Sequence, residues 1–160
     1  MCTPDNRNEN VMNMLKMFLA LMLIAAAATG FAADGMTALK SPHSVKITVD
    51  HLEAAVKARG LNIFLRVDHA AGAQKIGKQL RPTELLVFGN PQGGTPLMEC
   101  AQTSGIDLPL KALAWQDAAG QVWLGYNAPD YLAKRHGAGD CAVVPNLLKA
   151  LSGLAAEAVR

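Results

Sequence analysis

Residues 81–117 read RPTELLVFGNPQGGTPLMECAQTSGIDLPLKALAWQD, a succession of strand, glycine-rich turn, helix, turn and strand with no filler between the signals. The apolar run Leu85-Leu86-Val87-Phe88 sits between Pro82 and Gly89-Asn90-Pro91, which predicts a short buried strand. Gly93-Gly94 frees the backbone, and Thr95-Pro96 predicts a helix start with a hydroxyl cap and proline at the first helical position.

Working outward toward the C-terminus, Asp117-Ala118-Ala119-Gly120 is a tight connection into the strand Gln121–Tyr126. Two strands this close predict an antiparallel hairpin. Asn127-Ala128-Pro129 opens a helix that runs to His136 and stops at Gly137. Pro145 opens a last helix whose Leu147, Leu148, Leu151, Leu154, Ala155 and Ala158 form an apolar stripe. Toward the N-terminus, His69–Leu80 predicts a short amphipathic helix with Ala73, Ile76, Gly77 and Leu80 on one side. Before it, Leu61, Ile63, Leu65 and Val67 alternate with Asn62, Phe64, Arg66 and Asp68, the period of a half-buried strand. Val45–Val49 also alternates and predicts a strand. Asp50 then caps a helix, with Glu53 at capping-box spacing and Gly60 at the C-terminal stop. Ala33–Ser44 reads as a flexible lead.

Strands alternating with helices over residues 45–160 predict a single α+β domain. Its expected form is a two-layer sandwich, a mixed or antiparallel sheet with helices on one face. The opposite sheet face, bearing Phe64, Trp123 or their neighbours, then wants cover from a second subunit, so a homodimer through a sheet face or edge is expected.

Residues 1–32 have a different character. Lys16 precedes the unbroken apolar run Met17–Ala28, and Gly30 and Ala32 stand at the small-x-small positions of a signal-peptide exit. The start is Met12 or Met14 on this reading, because Met1–Val11 is polar and mixed in charge. The apolar run falls short of the ~20 residues a spanning helix needs. The expectation is therefore export to the periplasm or medium, with no stable membrane anchor after cleavage. Beyond Ala32 the chain carries 13 Lys and Arg against 11 Asp and Glu, since Arg7, Lys16, Asp5 and Glu9 precede it. That balance, without a basic block, excludes nucleic acid as the expected partner. Cys100 and Cys141 remain; an oxidising compartment allows a disulfide between them, and two packed thiols are the alternative.

Candidate chemistry is sparse. The Gly89–Pro96 turn offers backbone N–H groups and a positive helix end to an anion, although its glycines equally serve a plain strand-to-helix turn. It lacks both the P-loop lysine and the dinucleotide fingerprint, so nucleotide binding is not expected. The candidate ligand-binding residues are His69, Arg81, Asn90, Gly93, Gly94, Thr95 and Lys111, for a small anionic or amphipathic ligand. A haem or copper site from His69, Met98 and Cys100 is the metal alternative, without any HxxxH or CxxC spacing behind it. Asp68-His69 has no nucleophile-elbow serine beside it, so acyl transfer is poorly supported and no catalytic residue is named. Trp115, Trp123, Tyr126 and Tyr131 gather around the hairpin, as core more readily than as a binding platform.

Three motifs point further. Arg66-Val67-Asp68-His69-Ala70-Ala71-Gly72-Ala73, Leu80–Pro91 and Gly94-Thr95-Pro96-Leu97-Met98 resemble the domain of unknown function 302 family. The likeness continues through Gly105–Leu113 and Trp123–Asn127, and covers roughly residues 45–137. The resemblance implies a compact α+β fold with a TATA-binding-protein-like arrangement of sheet and helices, often homodimeric. It implies no established activity. A structural or interaction role in the cell envelope is the remaining alternative to ligand binding.

Overall fold

The computed structural model describes residues 33–160. The expected signal segment, with its start at Met12 or Met14 and its exit at Ala32, lies outside the described residues. Five strands form one sheet: β1 (Met36–Ser41), β2 (Asn62–Asp68), β3 (Thr83–Gly89), β4 (Leu110–Gln116) and β5 (Val122–Asn127). Their order is β1-β5-β4-β3-β2, and every neighbouring pair is antiparallel. The two long helices, α1 (Val45–Ala58) and α5 (Val144–Ala158), cover one face. Val49, Leu52 and Val56 of α1 and Leu151 and Leu154 of α5 meet Leu86, Phe88 and Leu124 of the sheet in one buried cluster. Each such side chain, at 2% exposure or less, contributes roughly 1.5–3 kcal/mol by leaving water. The two-layer α+β expectation holds, with an antiparallel sheet.

Several local expectations change. Residues 36–41 of the expected flexible lead are β1, the edge strand that pairs with β5 from Met36↔Asn127 to Ser41↔Val122. The lead is fixed because Leu39 packs on the core and the Ser41 hydroxyl bonds Thr48 in α1 at 2.7 Å. Val45–Val49 is helix, not strand. Val45, Thr48, Val49, Leu52, Ala55 and Val56 are buried at helical spacing, whereas Ile47, which strand alternation would bury, is 44% exposed. The cap is Ser44, whose side chain accepts from the Ile47 amide, six residues ahead of the expected Asp50. β-branched residues mimic a strand locally, and an apolar stripe continuous with Leu52 decides for the helix.

A bulge between Ile63 and Leu65 breaks the single-face reading of β2. Ile63 pairs with Phe88 on the helix side, while Leu65 pairs with Val87 on the other. One extra residue inverts every later side chain, so Arg66 is turned beneath α1. There its guanidinium meets Asp50 at 2.6 Å, Glu53 at 3.3 Å and Glu84 of β3 at 2.6 Å. Burial depresses the Arg66 pKa, but the hydrogen bonds it donates to Asp50 and Glu84 outweigh that and hold the group above its ordinary value. Lys46 and then Arg66 hold the Asp50 carboxyl below the usual range, and Lys57 chiefly does so for Glu53. The expected helix 69–80 shortens to α2 (His69–Lys75), capped by Asp68 and without a buried residue.

The sheet face opposite α1 and α5, uncovered among the described residues, carries Leu65, Val67, Leu85, Val87, Leu113, Trp115 and Trp123 by register. The two indoles stack with centroids 6.5 Å apart. Trp123 donates its Nε1–H to Asp117 at 2.8 Å and lies under the Lys40 ammonium. The indole bond, followed by the Gln121 and Ala119 amides, keeps the Asp117 carboxyl below its ordinary pKa despite the desolvation that opposes it. Gly125 makes this layer possible, because a Cβ there would come within 2.8 Å of the Trp115 ring. Gly125→Ala is expected to cost about 1–3 kcal/mol by overpacking. Equilibrium urea unfolding checks this; a change within the scatter of the measurement would show that the ring moves freely aside.

Candidate functional site

The helix that begins the candidate site is α3 (Pro91–Cys100), followed by a short 3-10 turn, Gln102–Ile106. Its cap is Asn90 with Pro91 at the first position, and Pro96 lies inside the helix. The expected Thr95-Pro96 start is therefore five residues late. Both pairs carry the same signal, but β3 ends at Gly89 and the chain takes the first cap it meets. Gly93 and Gly94 are thereby helical residues rather than a turn.

Between α3, α5 and the adjoining ends of β2, β3 and β4 lies a cavity of about 630 Å³, inside the ~300–1,000 Å³ range of small-molecule pockets. Phe88, Leu151 and Leu154, all buried, belong to its inner wall, and Met98, Leu108 and Leu110 to its flanks. Polar side chains reach it only from Asn90, Gln92, Thr95 and Asn146, the last three exposed. Phe64, thrown out by the β2 bulge and 55% exposed, also lines it. The two glycines of α3 keep the wall thin. A Cβ on Gly94 would stand 3.4 Å from Leu108 Cδ1, and one on Gly93 would press on the Asn90 side chain at 3.3 Å.

Geometry weakens the anion reading of this helix start. Pro91 has no N–H, the Gly93 amide donates to the Asn90 side chain at 2.9 Å, and the Gly94 amide donates to the Asn90 carbonyl at 3.2 Å. Among the described residues no Lys, Arg or His lines the cavity. An ionised group would lose its hydration there without a countercharge, a cost of several kcal/mol. An apolar or uncharged part of a ligand fits; a buried phosphate does not.

Of the candidate residues, Asn90, Gly93, Gly94 and Thr95 line the cavity together. His69, Arg81 and Lys111 do not. His69 begins α2 beyond the far end of β2, about 20 Å along the strand from the residues that line the cavity. Arg81 donates to the Gln116 carbonyl at the same far end. Lys111, paired with Val87 on the uncovered face, donates to the Asp107 carbonyl at 2.8 Å. The metal alternative fails on chemistry: Met98 lines the cavity, but His69 is remote and the sulfur of Cys100 is bonded to Cys141. A disulfide sulfur offers no thiolate to iron or copper. No group of three His, Cys, Asp or Glu side chains close enough to hold a metal occurs among the described residues.

Two ties hold the walls apart. The Cys100–Cys141 disulfide, with Cα atoms 6.1 Å apart, fastens the end of α3 to the loop before α5. Beneath it Leu97, Ala133, Cys141, Val144 and Leu147 form a second apolar cluster. Opposite, α4 (Pro129–Arg135) delivers His136 and Arg135 to Asp107 at 2.7 and 3.1 Å. His136 also bonds the Thr103 hydroxyl at 3.0 Å. Asp107 sits between Gly105 and Leu108, both of which line the cavity, so this cluster braces the wall. His136 ends α4 with a specific carboxylate partner, Asp107. The carboxylate–imidazole–hydroxyl chain superficially matches a hydrolytic triad. Thr103, however, is exposed and does not line the cavity, and Arg135 shares the Asp107 carboxylate.

What α5 contributes to the cavity is not legible in the sequence alone. Leu147, Leu151 and Leu154 were visible as a stripe, and only the fold shows that one edge of it lines an open volume. A stripe wider than two helices need for mutual packing was the available signal.

A family model described as domain of unknown function DUF302 matches residues 37–154. A protein named fluoride-specific ion channel FluC 1, from Brucella suis biovar 1 (strain 1330), is 51% identical over 106 residues, which are 66% of this chain and 42% of that protein. Its namesake from Brucella abortus biovar 1 (strain 9-941) shows the same identity over 39% of its length. The chain thus spans about two-fifths of these relatives. Among solved structures, an uncharacterized conserved protein DUF302 from Bacillus stearothermophilus superposes with a TM-score of 0.71 at 19% identity. The match covers 80% of this chain and all of that one, a likeness of fold.

Proposed function

We propose that this chain, which belongs to the DUF302 family, is a non-enzymatic ligand-binding module that encloses the apolar part of a small amphipathic molecule in the α3–α5 cavity. The observation that carries this reading is an open cavity of about 630 Å³ walled by carbon, with its few polar side chains at the mouth. A largely apolar cleft of this size with a few polar groups is the usual form of a small-molecule site. Export is part of the proposal, and the Cys100–Cys141 pair supports it, because disulfides persist mainly in oxidising compartments. Among the described residues no helix is long and apolar enough to cross a membrane. A homodimer through the uncovered sheet face is part of the proposal, supported by Leu65 at 54% exposure on the same face as the stacked Trp115 and Trp123.

The test is saturable uptake of the apolar fluorophore N-phenylnaphthylamine, followed by displacement with long-chain fatty acids and their neutral alcohols. In Gly94→Phe the ring projects toward Leu108 and fills the mouth. Replacing a helical glycine also gains up to about 1 kcal/mol, so the variant folds. Binding is expected to fall at least about tenfold, and alcohols to compete as well as acids. Equal uptake by the variant, or none by the parent protein, overturns the proposal.

A second reading is an interaction module of the cell envelope. It is favoured by the 51% identity to a segment of proteins named as ion channels. Crosslinking in cells followed by detergent extraction tests it, with recovery of a membrane protein as the expected result and recovery of none as its refutation.

A further inference from the structure

We propose that the arm formed by α2 and the segment after it, residues 69–82, attaches the protein peripherally to an anionic lipid bilayer. Residues 74–82, Gln-Lys-Ile-Gly-Lys-Gln-Leu-Arg-Pro, are all exposed, and α2 buries no side chain. Ile76 is 75% and Leu80 51% exposed, an unusual position for two large aliphatic residues four apart on one projecting arm. Cations interleave them: Lys75, Lys78 and Arg81, with His69 at the start of the helix. No Asp or Glu occurs between Asp68 and Glu84. Lys75 and Lys78 make no salt bridge among the described residues, and Asp68 is engaged in capping α2 through the Ala71 amide at 2.8 Å. Asp117 is the acidic group that feels Arg81, so the two lysines carry the uncompensated charge.

The arm is held in place at both ends. Asp68 caps its first turn, the Lys78 amide returns to the Ala73 carbonyl at 3.0 Å, and Arg81 and Pro82 are bonded to the Gln116 backbone of β4. A fixed projection with aliphatic tips between ammonium groups is the chemistry of an interfacial contact. The aliphatic side chains enter the headgroup boundary while the cations face lipid phosphates. A second copy of the chain would bring like charges together on this surface, which disfavours self-association there.

The experiment uses the full chain with vesicles of phosphatidylcholine alone or containing one-third phosphatidylglycerol. Backbone hydrogen exchange is read in the segment 74–82, so that any binding through residues 1–32 is not counted. The expected result is slowed exchange in 74–82 with the anionic vesicles only, reversed by high salt. Lys75→Glu with Lys78→Glu should reduce the anionic-over-neutral partition ratio by about 20-fold or more. Ile76→Ser with Leu80→Ser should reduce the partition into the anionic vesicles themselves by about 5-fold or more. All four positions are exposed, so both variants fold, which circular dichroism verifies. Unchanged exchange in 74–82, a partition ratio within twofold of the parent in the charge variant, or protection that instead grows with protein concentration without lipid overturns the proposal. The last result would assign the arm to a second copy.

Discussion

A Cys100→Ala, Cys141→Ala variant unfolds at lower urea concentration, with stability reduced by about 4 kcal/mol. The sequence separation of 41 residues fixes the scale: closing a loop of that length in the unfolded chain removes conformational entropy worth about 4 kcal/mol at room temperature. Alanine avoids leaving a buried hydroxyl at Cys141, which is 8% exposed. The loss falls on the wall of the cavity, because the bond joins the end of α3 to the loop before α5. N-phenylnaphthylamine uptake should weaken in parallel and recover at temperatures where the variant is fully folded. Reductant should act on the parent protein as the double substitution does. A stability change under about 1 kcal/mol would mean that the second apolar cluster alone holds α3 in place.

Arg66→Met lowers stability by about 2–3 kcal/mol at neutral pH and by much less in acid. The guanidinium is the common partner of Asp50, Glu53 and Glu84, and Glu84 is only 12% exposed. Removing it leaves three carboxylates facing one another, two of them poorly hydrated, a loss somewhat below the 3–5 kcal/mol of a fully buried pair. The pH dependence follows from the depressed carboxyls of Asp50 and Glu53, whose ordinary values are 3.8 and 4.5. Above those values the folded and unfolded chains are both ionised, and the full contribution of the pairs is present. As pH falls through the ordinary range the unfolded chain takes up protons first, and the contribution drains away until the folded carboxyls protonate too. The parent protein therefore loses stability below about pH 4.5, and Arg66→Met loses less over the same interval. Thermal midpoints at neutral pH and at about pH 3.5 measure both effects. Arg66→Met combined with Glu84→Gln should recover part of the deficit. Equal midpoints for parent and Arg66→Met at neutral pH would show the network to be a solvated surface cluster.

Much of the fold was legible in the sequence because it rests on periodicity. The β3 run, the β4–β5 hairpin, the α5 stripe and the Gly60 and Gly137 stops, both at φ +70°, are local signals that tertiary contacts reinforced. Asn90, Gly93, Gly94 and Thr95 were named for the N–H groups and positive helix end of a strand-to-helix junction; they line the cavity together, but its lining carries no cation among the described residues. Other features depended on contacts that no local window contains. Val45–Val49 satisfies both periods, and only burial against the sheet selects the helix. The bulge at Phe64 inverts the rest of β2 and puts Arg66, a residue that reads as solvent-facing, at the centre of a charge network. His69, Arg81 and Lys111 are near the junction in sequence, and the sheet carries them to its far end or its other face.

By itself the sequence determined the class of fold, the family and the junction at Gly89–Thr95, because apolar period, caps and motif residues are properties of neighbours along the chain. The tertiary structure alone decided that the cysteines are bonded, that the junction opens on a carbon-walled cavity rather than an anion cradle, and that residues 74–82 are all exposed. Those outcomes depend on which faces of distant elements meet. A single bulge or an early cap can change that meeting while leaving the local pattern intact.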